Sequence, residues 1–403
     1  MLYLIIDQLR DYLAAHPLLG ALGVFRWVEF RAVLAIAVSF TLVVGFGNRT
    51  IGWLVRQKIG DTGNFDHDRL QVLLQEKTNT PTMGGILIAG SILVTTLLLA
   101  NLGRFYVSMA LICLIALTAI GIADDWLKLT TARRKPGARQ GLYTWEKLVL
   151  QLGLAVVLAL FIHHHGMNKQ HFLDENVAQI SHSFTVPFFK TWTLTDGVWE
   201  PTPLIVLGTW AFVLLATGFI AGTSNAVNLT DGMDGLAAGM MAIVAFAFLV
   251  LAFIAGYQNP ETDFVLAKYL LVPYIPFSDE LAVVAGAMVG ACLGFLWFNC
   301  YPAKVFMGDT GSLPLGGLIA YIAVVIRQEL LLLIIGGVFF FEMLSVVMQV
   351  GYFKATGGRR IFRCAPVHHH FHLGGWTEQQ VVVRFWIITA LLSAIALATI
   401  KIR

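Results

Sequence analysis

Residues 236–256 read LAAGMMAIVAFAFLVLAFIAG, a stretch of 21 positions without one charged side chain. About 20 such residues in a helix cross the hydrocarbon layer of a bilayer, and a helix that is apolar all round has no face to turn to water. The stretch therefore reads as a membrane span. Comparable runs occupy residues 24–46, 84–101, 105–123, 148–166, 203–221, 281–298, 313–326, 330–350 and 381–400, which makes ten candidate spans. The first carries Arg26, Glu29 and Arg31 in its opening turns, where long side chains reach back to the interface. The eighth is short and separated from the ninth only by Arg327, Gln328 and Glu329, as in a tight helical hairpin.

Composition leads to the same class. Of 403 residues, 57% are hydrophobic and 13% charged, against roughly 45–50% and 25% in soluble proteins. So few charges cannot cover the two or three soluble domains that the length alone would allow. The expected fold is an all-α integral membrane protein, one polytopic domain over residues 1–403. A net charge of +3 from 27 basic and 24 acidic residues argues against a nucleic-acid partner. Cys113, Cys292, Cys300 and Cys364 are scattered, so neither a disulfide framework nor a cysteine-held metal is expected. The first 23 residues, with Asp7, Arg10 and Asp11, lack the order of a removable signal peptide.

Ten spans put both termini on one side. Loops 47–83, 124–147, 222–235, 299–312 and 351–380 share the opposite face and carry 16 of the 27 basic residues; the other face, termini included, carries 8. By the positive-inside rule the first group is cytoplasmic and both termini are periplasmic. The longest outer segment, 167–202, reads as a small periplasmic insertion, with Phe184-Thr-Val-Pro-Phe-Phe and Trp192-Thr-Leu-Thr as short strands around a turn.

The densest polar clusters all fall in the loops assigned to the cytoplasm. They are Glu76 to Gly85, Asp124-Asp125-Trp126-Leu127-Lys128, Asn225 to Gly235, Asn299 to Ser312, and Pro366-Val-His368-His369-His370. Asp124 and Asp125 close the third run, where they are either solvated boundary acids or a carboxylate pair for a divalent cation or a proton, because hard oxygen donors suit Mg²⁺. Neighbours on a helix diverge by about 100°, so distinct roles are expected. Asn228, Asp231 and Asp234 are spaced to share a ridge if a helix starts there; a helix cap explains the asparagine alone but not the two acids that follow. Gly308-Asp309-Thr310-Gly311-Ser312 suits a tight turn that presents a carboxylate among backbone N–H groups. Lys77, Lys128, Lys147 and Lys304 are positive-inside anchors or donors to a diphosphate. His368, His369 and His370 contact phosphate or move protons near neutrality, with a metal site as the competing reading, for which a contiguous triplet is a poor cage. His163, His164 and His165 lie on the other face and read as an interfacial helix end. Acids, ammonium groups and imidazoles at one membrane boundary suit phosphoryl transfer from a soluble nucleotide-linked donor to a lipid acceptor.

These segments, with Gly375-Trp376 and Arg384-Phe385-Trp386, resemble the phospho-N-acetylmuramoyl-pentapeptide transferases (MraY family of polyprenyl-phosphate sugar-1-phosphate transferases), through all five inner loops and most spans. The resemblance implies a Mg²⁺-dependent enzyme of the bacterial cytoplasmic (inner) membrane, commonly a homodimer. It implies transfer of phospho-N-acetylmuramoyl-pentapeptide from UDP-N-acetylmuramoyl-pentapeptide to undecaprenyl phosphate, giving lipid I and UMP at the cytoplasmic face. Carried over by motif, Asp309 is the principal Mg²⁺ ligand. Asp124 and Asp125 act on the lipid phosphate and stand near the metal, with Asp124 as base. His368 joins the catalytic group. Lys77, Thr82, Lys128, Lys147, Asn225, Asn228, Asp231, Asp234, Asn299, Phe306, Gln349, His369 and His370 line the substrate cleft, Phe306 facing the uracil. Residues 136–142 are extra length, so Lys147 is matched through its spacing to Gln151, and His372 stands where the family pattern has an acid. A transferase of N-acetylglucosamine phosphate, and an ion-coupled transporter, are the competing readings.

Overall fold

The structure, a computed structural model, describes residues 1–9, 12, 20–57, 80–134, 141–167, 175–202, 205–259 and 261–400. Its helices are α1 (Leu2–Gln8), α2 (Val28–Arg56), α3 (Gly85–Leu99), α4 (Phe105–Arg134), α5 (Thr144–Met167) and α6 (Glu175–Ser181). After four short strands come α7 (Thr209–Thr230), α8 (Leu236–Gly256), α9 (Leu266–Tyr269), α10 (Leu281–Asn299) and α11 (Asp309–Val325). The chain ends with α12 (Glu329–Ile335), α13 (Gly337–Ala355), α14 (Val367–Leu373) and α15 (Glu378–Ala398). Most of each apolar run is helical among the described residues. Among the described residues, eight helices are long and apolar enough to cross a membrane, and α3 and α11 are shorter apolar helices.

The hub is α11, buried along its whole length and packed against α4, α7 and α3. Apolar side chains all round leave it no lipid- or water-facing stripe to prefer, so it takes the centre. Around it α2 packs on α10 through Gly286, Gly290 and Gly294, where a Cβ would run into the Ala32 carbonyl, the Ile36 carbonyl and the Val43 side chain respectively. Small residues every fourth position let two backbones touch, which is the usual source of helix association where apolar burial gives no preference. One buried ion pair fastens the same two helices: Arg31 on α2 grips both oxygens of Glu280, just before α10, at 2.8 and 2.7 Å.

Four sequence expectations are corrected. α4 does not stop at Asp124-Asp125 but continues to Arg134, because no glycine or proline intervenes before Pro136. The fifth run, expected at 203–221, is helical from Thr209 to Thr230; Ile205–Val206 instead pairs with Ser183–Phe184 as a short antiparallel ladder. The ninth run breaks at Gly336 into α12 and α13. The hairpin joins Trp192–Thr195 to Val198–Pro201 rather than to the Phe184 run. Asp196 and Gly197 both have positive φ, 52° and 82°, as a two-residue hairpin turn requires.

The Arg31–Glu280 pair gives a stability prediction. Arg31→Met alone should cost about 3–5 kcal/mol, because it strands a buried carboxylate, whereas Arg31→Met with Glu280→Met should recover most of that loss. Denaturation of the three proteins in one detergent checks the order.

Candidate active site

The polar clusters meet at one end of the bundle. Arg104, just before α4 begins, and Asp124 are twenty residues apart, about 30 Å of helix, so the acids lie a full hydrocarbon thickness from the opposite interface.

Asp309 is the first residue of α11, and Gly308 before it has φ +71°. Glycine is needed there twice over, since it tolerates that φ and a Cβ would stand 2.7 Å from Asp125 Oδ2 and 3.0 Å from Thr82 Oγ1. With the backbone so close, the Thr310 N–H and hydroxyl donate to Asp125 Oδ2 at 2.9 and 2.7 Å, and the Asp309 N–H donates to Oδ1 at 3.3 Å. Asp125 thus satisfies the free N–H groups at the start of α11 and sits at the positive end of its dipole. Gly121, one turn earlier on α4, admits the same approach, because a Cβ there would overlap the Asp309 carbonyl. Gly85 on α3 likewise leaves room for the Gly311 backbone.

Asp124 points another way, as neighbours on a helix must. Its Oδ1 accepts the Leu142 N–H at 2.7 Å, and its Oδ2 lies 2.8 Å from Lys128 Nζ and 3.6 Å from Lys147 Nζ. Asp309 Oδ2 takes both lysines, at 2.7 Å from Lys147 and 3.3 Å from Lys128. Asp309 Oδ1 accepts from Asn228 Nδ2 at 2.6 Å, and that amide also donates to Ser312 Oγ at 2.9 Å. Oxygens of Asp124, Asp125 and Asp309 all lie within 4.8 Å of one another, and the three residues are only 1%, 3% and 8% exposed. Two ammonium groups against three buried carboxylates leave a negative balance that burial penalises. A cation held by hard oxygen donors corrects it, and the residues present fit a divalent metal ion.

Asp231 caps the C-terminus of α7, with Asn228 in the last turn and Asp234 in the following turn. The three therefore do not share a helical ridge: the helix ends among them instead of starting there. Burial first, then the Asp309 and Asp125 carboxylates, push the Asp231 carboxyl up to about 7, against a hydrogen bond from the Gly308 backbone. Asp234 and Asn299 are occupied as staples. Asp234 Oδ2 accepts the Ala303 N–H at 3.0 Å, and its own N–H donates to Glu378 at 2.9 Å. Asn299 accepts the Gly235 N–H at 3.0 Å and donates to the Val305 carbonyl at 2.8 Å.

Other expected cleft residues also hold segments in place. Asn225 donates to Gln151 at 2.7 Å and to the Ala221 carbonyl at 2.8 Å. Gln349 accepts the Ile361 and Phe362 N–H groups at 3.1 and 2.9 Å, fixing the loop ahead of α14. Phe306 is half-buried, its backbone paired with Pro81 and Gly84, and Thr82 is half-buried beside Gly308. Lys77 lies outside the described residues.

The histidines begin α14. His368 is fully buried, its Nδ1 is 3.2 Å from Glu342 Oε2, and its ring covers Gly232, where a Cβ would meet Nε2 at 2.5 Å. That places the imidazole one residue from Asp231. His369 is buried, and His370 Nδ1 accepts the Arg363 N–H at 3.1 Å. Sequence reasoning passed over Glu342, although a lone carboxylate inside an apolar run is a signal in itself. It also passed over the Leu142 N–H, which no side-chain pattern announces.

Such a bundle, with acids and ammonium groups gathered where α7 ends and α11 begins against α4, defines a polytopic membrane enzyme whose buried acids could hold a cation at one interface. The Glycosyl transferase family 4 profile matches residues 107–327. The phospho-N-acetylmuramoyl-pentapeptide-transferase of Thermodesulfovibrio yellowstonii is 42% identical over 407 residues, covering 100% of both chains. That of Nitratidesulfovibrio vulgaris is 40% identical over 381 residues, 94% of this chain and 96% of the relative. That of Desulfosudis oleivorans is 42% identical over 392 residues, 96% and 98%. The chain belongs to the phospho-N-acetylmuramoyl-pentapeptide transferase family.

Two predictions follow from the geometry. Glu342→Gln removes the carboxylate that faces buried His368 and should lower both turnover and the melting temperature in detergent, because it breaks a buried pair. Asp231 loses its proton near neutrality, and the anion attracts a cation while the acid does not. Apparent affinity for the activating metal should therefore fall as pH drops from about 8 to about 6, and Asp231→Asn should flatten that dependence in a metal titration of activity.

Proposed function

We propose that the protein transfers phospho-N-acetylmuramoyl-pentapeptide from its UDP-linked precursor to undecaprenyl phosphate at the cytoplasmic face of the membrane, forming lipid I and releasing UMP. The observation that carries this reading is the convergence of Asp124, Asp125 and Asp309 within 4.8 Å, with Lys128 and Lys147 against them. That set sits at the end of the membrane helices, where a water-borne diphosphate and a lipid phosphate can both reach it. A transporter would place its charged site near the midplane on broken helices, and α4 runs unbroken through Asp124 and Asp125.

The chemistry is a displacement at phosphorus. An oxygen of the lipid phosphate forms a bond to the β-phosphorus, the bond from that phosphorus to the bridging oxygen breaks, and UMP leaves with the electron pair. Asp309, with Asp124 beside it, would hold Mg²⁺, which when bound supplies positive charge to the diphosphate. Asp124 is placed to accept the proton of a monoprotonated lipid phosphate, because its Oδ2 faces the lysines rather than the α11 backbone. Asp125 acts as a positioning residue, its oxygens taken up by the start of α11. Lys128 and Lys147 are near enough to the acids to exchange carboxylate for phosphate oxygens as substrate enters. His368, braced by Glu342 and lying over Gly232, offers an imidazole on the Asp231 side.

The arrangement favours direct attack over an aspartyl intermediate. Both oxygens of Asp309 are held by donors, two ammonium groups on one and Asn228 on the other, which suppresses nucleophilicity. A labelled sugar-phosphate trapped on the protein without lipid acceptor would contradict this route.

The assay is UMP release from the UDP-linked muramoyl pentapeptide, with and without undecaprenyl phosphate and Mg²⁺. Release should need both, and Asp309→Asn should lower it by at least about 10³-fold. UDP-N-acetylglucosamine should be a poor donor. Equal turnover of that donor would reassign the substrate, and solute uptake without UMP release would reassign the class.

A further inference from the structure

At the end of the bundle away from the acids, where α2, α4 and α10 begin and α8 ends, a cavity of about 550 Å³ opens between them. Neither the transfer reaction nor any family motif uses it. Its wall carries two guanidinium groups, Arg26 and Arg104, and three carboxylates, Glu29, Glu261 and Asp279. Arg26, Glu29 and Glu261 stand exposed at its rim, and Arg104 and Asp279 are half-buried. Here the pairing is incomplete: among the described residues no ion pair joins these arginines to these acids. Arg104 instead stacks on the Phe277 ring, 3.8 Å from its centroid.

The charge pattern selects the ligand. Acids set beside the guanidiniums disfavour an anion with no compensating positive charge. A bare cation is also disfavoured, since the acids do not converge as the Asp124, Asp125 and Asp309 oxygens do. A group with a phosphate and an ammonium satisfies both sets. Trp27, half exposed, and Tyr257 add amphipathic rings to the same wall, as residues at a membrane-water boundary commonly do. The volume is in the range of small-ligand sites, about 300–1,000 Å³, and the position is level with lipid headgroups, about 30 Å along α4 from the catalytic acids.

We propose that this cavity binds the headgroup of a zwitterionic phospholipid, with its phosphate toward Arg26 and Arg104 and its ammonium toward Glu29, Glu261 and Asp279. The inference stands apart from the transfer reaction.

The test is lipid retention by the full chain. Protein from bilayers of phosphatidylethanolamine and phosphatidylglycerol is delipidated stepwise in detergent and the lipid still bound is identified by native mass spectrometry. The parent should keep phosphatidylethanolamine over phosphatidylglycerol. The double variant Arg26→Gln with Glu29→Gln should lose that lipid at least about fivefold more readily. Gly23→Trp, which fills the cavity from a position with nothing within 4 Å of a Cβ, should do the same without removing any charge. Melting of the lipid-free variants at the parent temperature establishes that they are folded. Displacement of the lipid by soluble glycerophosphoethanolamine but not by glycerophosphoglycerol is expected, and equal retention of phosphatidylglycerol or unchanged retention in Gly23→Trp would overturn the proposal.

Discussion

Three carboxylates that lie within 4.8 Å of one another, nearly out of water, repel, and the rest of the architecture answers that repulsion. Lys128 and Lys147 supply opposite charge, Asn228 and the Leu142 N–H supply donors, and the start of α11 supplies its free N–H groups and dipole. The compensation remains short by at least one charge. A pocket tuned to be short of positive charge is a pocket for a cation and, through it, for phosphates. Tighter internal pairing would have made a more stable membrane protein and a poorer enzyme.

Holding the acids together requires helices to approach more closely than ordinary side chains allow. Gly121 and Gly308 bring α4 and α11 into backbone contact, and Gly85 does the same for α3. The burial of α11 on every side follows, since a helix that carries the central carboxylate at its first residue must be surrounded by the helices that carry the others. Asp234, Asn299, Gln349 and Glu378 then fasten the loops that frame this centre. Several residues expected to line the cleft also frame it, since their side chains bind the backbone of neighbouring loops.

The class of fold was legible in residues 236–256 and their counterparts, because apolar length is a property of the chain itself. Convergence of the inner loops was legible too, since alternation of spans fixes which loops share a face. Helix ends were not: the apolar stretch stops at Ala123 while the helix runs on to Arg134, as hydropathy reports the lipid boundary and not the last backbone hydrogen bond. The roles of Asp125 and Asp234 were hidden for a related reason. Their partners are backbone N–H groups of distant segments, Thr310 and Ala303, which carry no residue-type signature. Glu342 was readable as an oddity inside an apolar run, but its partner His368 was not, because only the packing of α14 on α13 brings them together.

The account turns on the unbalanced charge of the acidic group, and metal occupancy in the purified protein measures it most directly. Electron paramagnetic resonance of added Mn²⁺ should report a single bound ion per chain, displaced by Mg²⁺ and lost in Asp309→Asn. Undiminished Mn²⁺ binding by Asp309→Asn, or no binding by the parent chain, would contradict it.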